Sequence, residues 1–252
     1  MGVFDLTGRV ALVTGAGQGV GAGIARALAG QGAMVVVNDA RAERAAEVVA
    51  SLTDSGLRGV AAAFDVTDHA EVAEAFARVA ADHGVVDILV NNAGNGGVAG
   101  MRTVQFKDSS PSDWSGPIDV NLFGVLNCCR AAINPMCEQG RGRIITISSG
   151  AGMTGLTIGV SAYAAGKGGA IGFMRHLAVE NARSGVTANT VAIGLMEMSG
   201  PREVTEHLAR SIPVGRLGRP DDIGAMCTYL ASDEASWMTG QTVHLNGGSV
   251  QS

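Results

Sequence analysis

The sequence predicts an α/β fold in which helices cover both faces of one doubly wound parallel sheet of about seven strands. Strand and helix patterns alternate from the N-terminus onward, which is typical of a parallel sheet with right-handed crossovers. The strand segments are short, continuous apolar runs such as Ala33–Asn38, as expected where helices cover both faces. A glycine-rich turn also joins the first strand to the first helix. No linker or repeat divides the chain, so we expect one domain over residues 1–252.

The first strand and the first helix have clear local signals. The apolar strand Arg9–Thr14 precedes a helix over Gly19–Gln31, whose apolar residues recur at helical spacing and which ends before Gly32. Further along, Pro220 and the two acidic residues after it favour a helix start. The other strands are predicted at 33–38, 59–64, 86–90, 143–147, 186–191 and 241–245, and the other helices at 41–55, 69–82, about 119–138, 162–183 and 221–230.

Composition and charge exclude several classes of protein. The 18 Lys and Arg against 23 Asp and Glu give a net charge of −5, which argues against a nucleic-acid binder. Hydrophobic residues make up 46% of the chain, enough to exclude a disordered protein. No apolar run is long enough to span a membrane, and the N-terminus lacks the features of a signal peptide. We therefore expect a cytoplasmic protein without a membrane contact.

Cysteines and histidines show no metal-binding spacing. The four cysteines, Cys128, Cys129, Cys137 and Cys227, lack a C-x-x-C pair and are expected to be reduced, buried core residues. The five histidines are expected at the surface or at helix caps. The sequence therefore predicts no metal site.

The turn after the first strand has the spacing T-G-x3-G-x-G. Its residues Gly15, Gln18, Gly19, Val20 and Gly21 are candidates for cofactor binding, because glycines let a pyrophosphate approach the free N–H groups of a helix N-terminus. The spacing matches neither G-x-G-x-x-G nor a P-loop. An ordinary glycine turn of an α/β fold is the alternative.

Asp39 ends the second predicted strand, near the offset of about 20 residues at which an acid binds the adenosine ribose. A carboxylate there accepts hydrogen bonds from both ribose hydroxyls of NAD and repels the 2′-phosphate of NADP. Arg41 is expected to be a solvated helix-start residue, although it offers a counter-charge. The sequence therefore favours NAD over NADP.

Tyr163 and Lys167 lie four residues apart in a predicted helix, so both side chains share one face. We expect the ammonium to lower the pKa of the phenol and thereby prepare it for acid–base work. Ser149 follows the strand 143–147, at the edge where open α/β sheets bind ligands, and Ser148 is its alternative. Each of these patterns also has a purely structural interpretation.

Taken together, these motifs resemble the short-chain dehydrogenase/reductase family in its compact, single-domain branch with a Rossmann-like fold. The similarity runs from Thr14 to Gly248. It includes the glycine turn, Asp65-Val66, the segment Asn91-Asn92-Ala93-Gly94, Asn121, Ser149, Tyr163, Lys167 and the stretch from Gly215 to Ile223.

The resemblance implies a role for each catalytic candidate. Tyr163 would be the general acid in reduction and the base in oxidation, and Lys167 would tune it and bind the nicotinamide ribose. Ser149 would polarise the substrate oxygen, and Asn121 would hold a water that connects Lys167 to solvent.

The resemblance also implies further cofactor contacts. Asp65 and Val66 would meet the adenine, and Asn91, Ala93 and Gly94 would line the cofactor cleft. Contacts after the sixth strand are expected from Ile193 and Gly194.

Three departures from the family pattern concern the second half of the chain. Ile193-Gly194 replaces the usual Pro-Gly, and Met198 stands near the place of a cofactor-contacting Thr. The separation of Ser149 and Tyr163 is one residue longer than is commonest. The first two departures predict weaker cofactor contacts from residues 193–198, and the third indicates a one-residue insertion in the loop or a different register.

The substrate side is predicted from three loops, at about 94–112, 150–162 and a lid at 194–212. Their apolar residues favour a moderately hydrophobic secondary alcohol or ketone as substrate, although packing of the lid explains them equally well. Arg102 and Lys107 leave a carrier-protein or CoA site open. The apolar residues are Met101, Met153, Leu156, Ile158, Leu195, Met196 and Met198.

The predicted function is an NAD(H)-dependent oxidoreductase that interconverts a secondary alcohol and a ketone. The cofactor half covers about 1–115, and the catalytic and substrate half covers about 116–252. The resemblance implies a homotetramer that associates through the helices near 119–138 and 162–183 and the C-terminal strand, an interface in which Cys128 and Cys129 are possible members. A 3-oxoacyl-thioester reductase and a non-catalytic dinucleotide-binding sensor or scaffold are the alternatives.

Overall fold

Seven strands form one parallel sheet. The computed structural model describes residues 2–94, 102–197 and 202–251. Neighbouring strands lie in the order β3-β2-β1-β4-β5-β6-β7, and every pair is parallel, which confirms the predicted doubly wound sheet. The strands are β1 (Val10–Val13), β2 (Met34–Asp39), β3 (Gly59–Ala63), β4 (Ile88–Asn91), β5 (Gly142–Ser149), β6 (Val186–Ile193) and β7 (Thr242–Leu245).

Helices cover both faces of this sheet. One face carries α1, α2 and α8, and the other carries α3, α5 and α6. Among the described residues we find no helix with the length and apolarity that a bilayer crossing requires. The helices are α1 (Gly19–Gly30), α2 (Ala42–Asp54), α3 (His69–His83), α4 (Ser115–Ile118), α5 (Gly124–Glu138), α6 (Ser161–Asn181), α7 (Arg202–Arg210) and α8 (Pro220–Ala231).

The apolar strands are buried on both sides because their residues alternate between two cores. Leu12 and Val36 pack with α3, α5 and α6, whereas Val13 and Val37 pack with α1 and α8. All four are 0% exposed. A side chain placed on either face of a strand therefore leaves water, which explains the continuous apolar runs.

Four segments differ from the sequence-based prediction. Strands β5 and β6 extend to Ser149 and Ile193. The predicted helix at 119–138 begins with a π-helical turn, Asp119–Phe123, which joins α4 to α5 without a break. The predicted lid loop contains α7, a short exposed helix with Glu203 in its first turn and Arg210 in its last, as the helix dipole favours.

The cysteine prediction is largely confirmed. All four thiols are free, and Cys128, Cys129 and Cys227 are buried, whereas Cys137 is half-buried. Burial raises the pKa of Cys129 and of Cys227 to about 12. The placement of Cys128 and Cys129 in a subunit interface was wrong, because both side chains face the sheet from α5.

One histidine also differs from expectation. His244 lies in β7 and is half-buried, and its Nδ1 has no hydrogen-bond partner within the described chain. The other four histidines are exposed, as predicted.

Candidate functional site

A cleft of about 580 Å³ opens at the carboxyl ends of the strands, where the strand order reverses between β1 and β4. Open α/β sheets bind ligands at this point. Sequence-predicted residues that line the cleft are Gly15, Gln18, Gly19, Val20, Gly21, Asp39, Asp65, Val66, Ala93, Gly94, Tyr163, Lys167 and Ile193.

Two glycines of the turn after β1, Gly15 and Gly21, have no space for a side chain. Gly15 has a φ of 58°, and a Cβ there would lie 2.8 Å from the Ala93 Cα. A Cβ on Gly21 would lie 2.4 Å from the Gly15 carbonyl oxygen. Helix α1 begins at Gly19 without a side-chain cap and without an acid in its first turn, so its free N–H groups suit an anion. The turn thus fits a dinucleotide pyrophosphate.

Two residues to which the sequence analysis assigned no role, Thr14 and Asn92, hold this turn. The Thr14 Oγ1 accepts hydrogen bonds from the N–H groups of Asn92 and Ala93, each at 3.0 Å. The Asn92 Nδ2 donates to the carbonyl oxygens of Thr14 at 2.9 Å and of Gly15 at 3.0 Å. Asn92 therefore ties the end of β4 to the glycine turn, and it lines the cleft.

Asn91 does not line the cofactor cleft, contrary to the prediction. Its side chain is buried beneath the cleft, where Nδ2 donates to the Thr146 Oγ1 at 3.2 Å and to the Cys129 Sγ at 3.3 Å. Successive side chains of a strand point to opposite sides, so only one of the two asparagines can face the cleft. Asn92 takes that position, and the prediction for Asn91 is corrected.

Asp39 borders the cleft at the end of β2 and is only 8% exposed. Its Oδ2 accepts a hydrogen bond from the Gly17 N–H at 3.2 Å, and its Oδ1 accepts one from the Arg41 N–H at 3.0 Å. Arg41 and Arg44 also border the cleft. Backbone N–H groups thus fix the orientation of the carboxylate, whose remaining lone pairs are available to ribose hydroxyls.

Tyr163 projects from α6 into the cleft and is 9% exposed. The Ser149 hydroxyl lies next to the phenol, and its Oγ accepts a hydrogen bond from the Ala151 N–H at 3.2 Å. Burial raises the pKa of Tyr163, and the hydrogen bond with Ser149 opposes this rise. The expectation that Lys167 lowers this pKa is therefore corrected, because loss of water on burial has the largest effect on the phenol.

Lys167 lies one helical turn after Tyr163, with its Nζ 5.9 Å from the centre of the tyrosine ring. The Nζ donates to the Ile147 carbonyl oxygen at 2.8 Å. Burial lowers the pKa of Lys167 to about 8. Glycines make this close packing of α6 possible, since a Cβ on Gly152 would lie 3.0 Å from the Lys167 carbonyl carbon.

The two candidate serines differ in their surroundings. Ser148 is 1% exposed, and its Oγ donates to the Lys167 carbonyl oxygen at 3.2 Å. Ser149 is half-buried and faces Tyr163. Ser148 therefore fastens β5 to α6, which leaves Ser149 as the hydroxyl beside Tyr163.

Asn121 is 0% exposed and belongs to the π-helical turn. Its Nδ2 donates to the Pro117 carbonyl oxygen at 2.8 Å, and its Oδ1 is buried without a partner in the described residues. A Cβ on Gly94 would lie 2.7 Å from this Oδ1 and 3.0 Å from the Lys167 Nζ. The amide oxygen and the amine thus face the same small space next to Gly94.

Gly194 lies outside the cleft, contrary to expectation. Its N–H donates to the Leu245 carbonyl oxygen at 3.2 Å, and it borders a separate cavity of about 220 Å³ with Met196 and Ile212. Met196 also reaches the cofactor cleft. Met198 and Met101 lie outside the described residues.

Several apolar side chains of the segments that follow β5 and β6 are exposed. Met153, Leu156, Ile158 and Leu195 are each at least 36% exposed. Arg102 pairs with Asp113 at 3.1 Å. Within the part of the chain that the structure describes, no group of three His, Cys, Asp or Glu residues is arranged to hold a metal ion.

Comparisons with known proteins agree with this geometry. The family model described as "Enoyl-(Acyl carrier protein) reductase" matches residues 15–250. The chain is 38% identical over 249 residues to the 3-oxoacyl-[acyl-carrier-protein] reductase FabG of Escherichia coli, covering 97% of this chain and 98% of that protein. It is 37% identical over 257 residues to the oxidoreductase UcpA of Salmonella typhimurium, with 97% and 95% covered.

A solved structure is similarly close. The gluconate 5-dehydrogenase from Burkholderia cenocepacia, in complex with NADP and tartrate, superposes with a TM-score of 0.90 at 35% identity, covering 98% of this chain and 96% of that one. The chain belongs to the short-chain dehydrogenase/reductase family of NAD(P)-dependent oxidoreductases, which act on CH–OH and keto groups.

Proposed function

We propose that the protein interconverts a secondary alcohol and a ketone with NAD(H), and that Tyr163 moves the proton. The observation that carries this proposal is that Tyr163 and Lys167, one helical turn apart, both line the cleft, with the Ser149 hydroxyl next to the phenol. A substrate oxygen placed beside both hydroxyls has a proton donor and a second hydrogen-bond partner. This arrangement fits carbonyl reduction and its reverse.

In the direction of reduction, the carbonyl carbon gains a hydride and its oxygen gains a proton from the Tyr163 Oη. The Ser149 hydroxyl donates a hydrogen bond to the same oxygen and holds it beside Tyr163. Oxidation reverses both transfers, with the phenolate as base. A bound nicotinamide supplies or accepts the hydride.

Lys167 acts on Tyr163 through its charge. With a pKa of about 8, the amine is mostly protonated at neutral pH, and a cation near the ring favours the phenolate. The same amine borders the cleft, where it would bind the nicotinamide ribose. The unpartnered Asn121 Oδ1 nearby supports a water that links Lys167 to solvent.

The residues that line the cleft support an assignment of each part of the dinucleotide to a different group of residues. The glycine turn, with Gln18 and Val20, would hold the pyrophosphate, and Asp39 would bind the adenosine ribose. Asp65 and Val66 would meet the adenine. Ala93, Gly94 and Ile193 would border the nicotinamide half.

Asp39 is the reason to propose NAD as the preferred cofactor. Its carboxylate repels a 2′-phosphate, and two backbone N–H groups hold it at the edge of the cleft. The NADP in the Burkholderia structure and the neighbouring Arg41 and Arg44 support the alternative. The test compares kcat/KM for NAD and NADP in wild type, Asp39→Ser and the exposed control Asp54→Ser.

We expect wild type and Asp54→Ser to prefer NAD by about tenfold or more, since removing one buried polar partner changes discrimination by this order. Asp39→Ser should lose most of that preference. An equal or greater activity of wild type with NADP would overturn the assignment.

The substrate is proposed to be a moderately hydrophobic alcohol or ketone. The exposed apolar residues Met153, Leu156, Ile158 and Leu195 support this proposal. The similarity to FabG favours a second candidate, a 3-oxoacyl thioester. A spectrophotometric screen of alkyl ketones, their alcohols, small polar polyols, sugar acids and 3-oxoacyl N-acetylcysteamine thioesters discriminates between them. Activity only with the polyols or sugar acids would contradict both.

We further propose that residues 1–252 work as one unit, with a cofactor half at about 1–115, a catalytic half at about 116–252 and a lid at 194–212. A cytoplasmic homotetramer is the proposed working form. The exposed Phe123 and Val179, at 51% and 80%, support association through the helices near 119–138 and 162–183. Light scattering on the purified protein measures the oligomeric state, and a monomer would contradict the proposal.

A further inference from the structure

After β7 the chain turns back in a fixed hook, residues 246–251, which we call the C-terminal hook. Gly247 and Gly248 have φ values of 63° and 87°, in the left-handed region that glycine tolerates. The Asn246 side chain closes the turn, since its Nδ2 donates to the Val250 carbonyl oxygen at 2.9 Å and its Oδ1 accepts from the Gly248 N–H at 2.9 Å. These bonds set the position of Val250.

The C-terminal hook is also fastened to the segment that follows α7. The Val214 N–H donates to the Gly247 carbonyl oxygen at 3.1 Å. A Cβ on Gly247 would lie only 2.6 Å from the Ile212 Cγ2. The hook therefore has a defined place relative to β6, β7 and the end of α7.

Val250 reaches the catalytic end of β5. Its Cγ2 lies 3.8 Å from the point where a Cβ on Gly150 would stand, and the Ile193 carbonyl oxygen lies 3.9 Å from that point. Gly150 directly follows Ser149, the hydroxyl that faces Tyr163. A space of about one methyl group therefore separates Val250 from the backbone beside the reacting oxygen.

We propose that Val250 is a specificity-determining residue, which limits the size of the apolar arm on the substrate carbonyl through the space that Gly150 leaves free. This inference rests on the proposed function, because it needs a substrate oxygen at Ser149 and Tyr163. The substrates it selects are ketones and secondary alcohols with a short, unbranched alkyl arm on that side. A valine methyl presents an apolar wall, and an apolar wall discriminates by size rather than by hydrogen bonding.

Two substitutions change the size of the space between Gly150 and Val250 in opposite directions. Gly150→Ala is compatible with the backbone, because Gly150 does not have a positive φ and no atom comes closer than 3.8 Å. The added methyl fills the space, whereas Val250→Ala enlarges it. Diethyl ketone and dipropyl ketone are the probes, since their two identical arms make the binding orientation irrelevant. The readout is the ratio of kcat/KM for dipropyl ketone to that for diethyl ketone.

We expect Gly150→Ala to lower this ratio about tenfold and Val250→Ala to raise it by a similar factor, as one methylene in an apolar pocket does. The controls are Gly30→Ala at the end of α1, where no atom lies within 4 Å of the added methyl, and Val3→Ala, where the side chain is 71% exposed. Both should leave the ratio unchanged. Melting temperatures report whether each variant folds.

Ratios that stay within twofold of wild type, or that move in the same direction in both variants, would overturn the inference. If Val250→Ala does not fold, Gly150→Ala alone decides. If wild type turns over neither ketone nor any other ketone or alcohol of the screen, the proposed function fails and the inference falls with it. Turnover by wild type with unaltered ratios in the variants removes the inference and leaves the proposed function standing.

Discussion

The Lys167 Nζ lies 2.8 Å from the Ile147 carbonyl oxygen, in a position where Lys167 is only 6% exposed. One backbone oxygen replaces only part of the water that an ammonium loses on burial. The lysine therefore destabilises the fold at neutral pH while it positions a charge under the cleft. Conflicts of this kind between stability and site geometry are common in enzymes.

The pH dependence of stability measures this conflict. Because the folded-state pKa of Lys167, about 8, lies below its ordinary value of 10.5, folding releases a proton between these values and stability rises with pH there. Wild type should gain about 2 kcal/mol of unfolding free energy relative to Lys167→Met between pH 7 and pH 10. Urea unfolding of both proteins gives the difference. A difference that does not vary with pH would refute the lowered pKa.

Tyr163→Phe should abolish turnover and keep cofactor binding. Removing the phenol hydroxyl removes the proton donor, so kcat is expected to fall by about a thousandfold or more, whereas NADH fluorescence titration should give nearly the same Kd. Tyr229→Phe is the matched control, since the other tyrosine of the chain packs edge-on against Phe4, away from the cleft. Retained turnover in Tyr163→Phe would exclude this tyrosine as the acid, and no turnover in wild type would favour a sensor.

The two neighbouring serines should respond differently to alanine. Ser149→Ala removes a hydrogen bond to the substrate oxygen and is expected to lower kcat about a hundredfold with little loss of stability. Ser148→Ala leaves the Lys167 carbonyl oxygen without its donor and should lower the unfolding free energy by about 1 kcal/mol. Steady-state kinetics and thermal unfolding of both variants make the comparison. The reverse pattern would move the catalytic role to Ser148.

Alanine at Gly15 should prevent cofactor binding. The substitution strains a φ of 58° and brings the methyl group 2.8 Å from the Ala93 Cα, so the turn must move away from its cradle shape. Gly56→Ala is the matched control, because its φ of 73° is equally strained and no atom lies within 4 Å of the added group. It should lose only about 1 kcal/mol of stability and still bind NADH. Isothermal titration measures the Kd for NADH of both variants. An unchanged Kd in Gly15→Ala would contradict the role of this turn in cofactor binding.

The elements of the fold were largely predictable from the sequence. The apolar runs around Leu12 and Val36 indicate strands because both faces of this sheet are covered, and the four-residue spacing of Tyr163 and Lys167 places both at one face of α6. Helix α7 was missed because its residues are mostly polar and exposed. Its few apolar residues, such as Val204 and Leu208, do recur at helical spacing, and this signal could have identified the helix.

Two kinds of detail in the site could not be predicted from the sequence. One is which of two neighbouring side chains faces the cleft, and the other is how deeply a side chain is buried. Asn91 and Asn92 are the same residue type, so their chemistry does not distinguish them. Which of the two faces the cleft depends on the position at which β4 ends, and the strand ends at Asn91. The direction of the shift in the Tyr163 pKa depends on how far folding removes the phenol from water. The spacing of residues along a helix contains no information on this burial. The side chains of Thr14 and Asn92 form hydrogen bonds with backbone groups across the ends of β1 and β4. These two segments are far apart in the sequence, so no local pattern indicates the bonds.

The π-helical turn at Asp119–Phe123 is equivalent to one extra residue in a continuous α-helix, and it rotates the succeeding helical turns by about 100°. Deleting that extra residue would turn α5 by about 100° relative to α4. The buried face of α5, which includes Cys128 and Met136, would keep its place on the sheet only if α4 and Asn121 turned instead. The π-helical turn therefore lets one continuous helix bury its second part in the core while it directs Asn121 to the space beside Lys167.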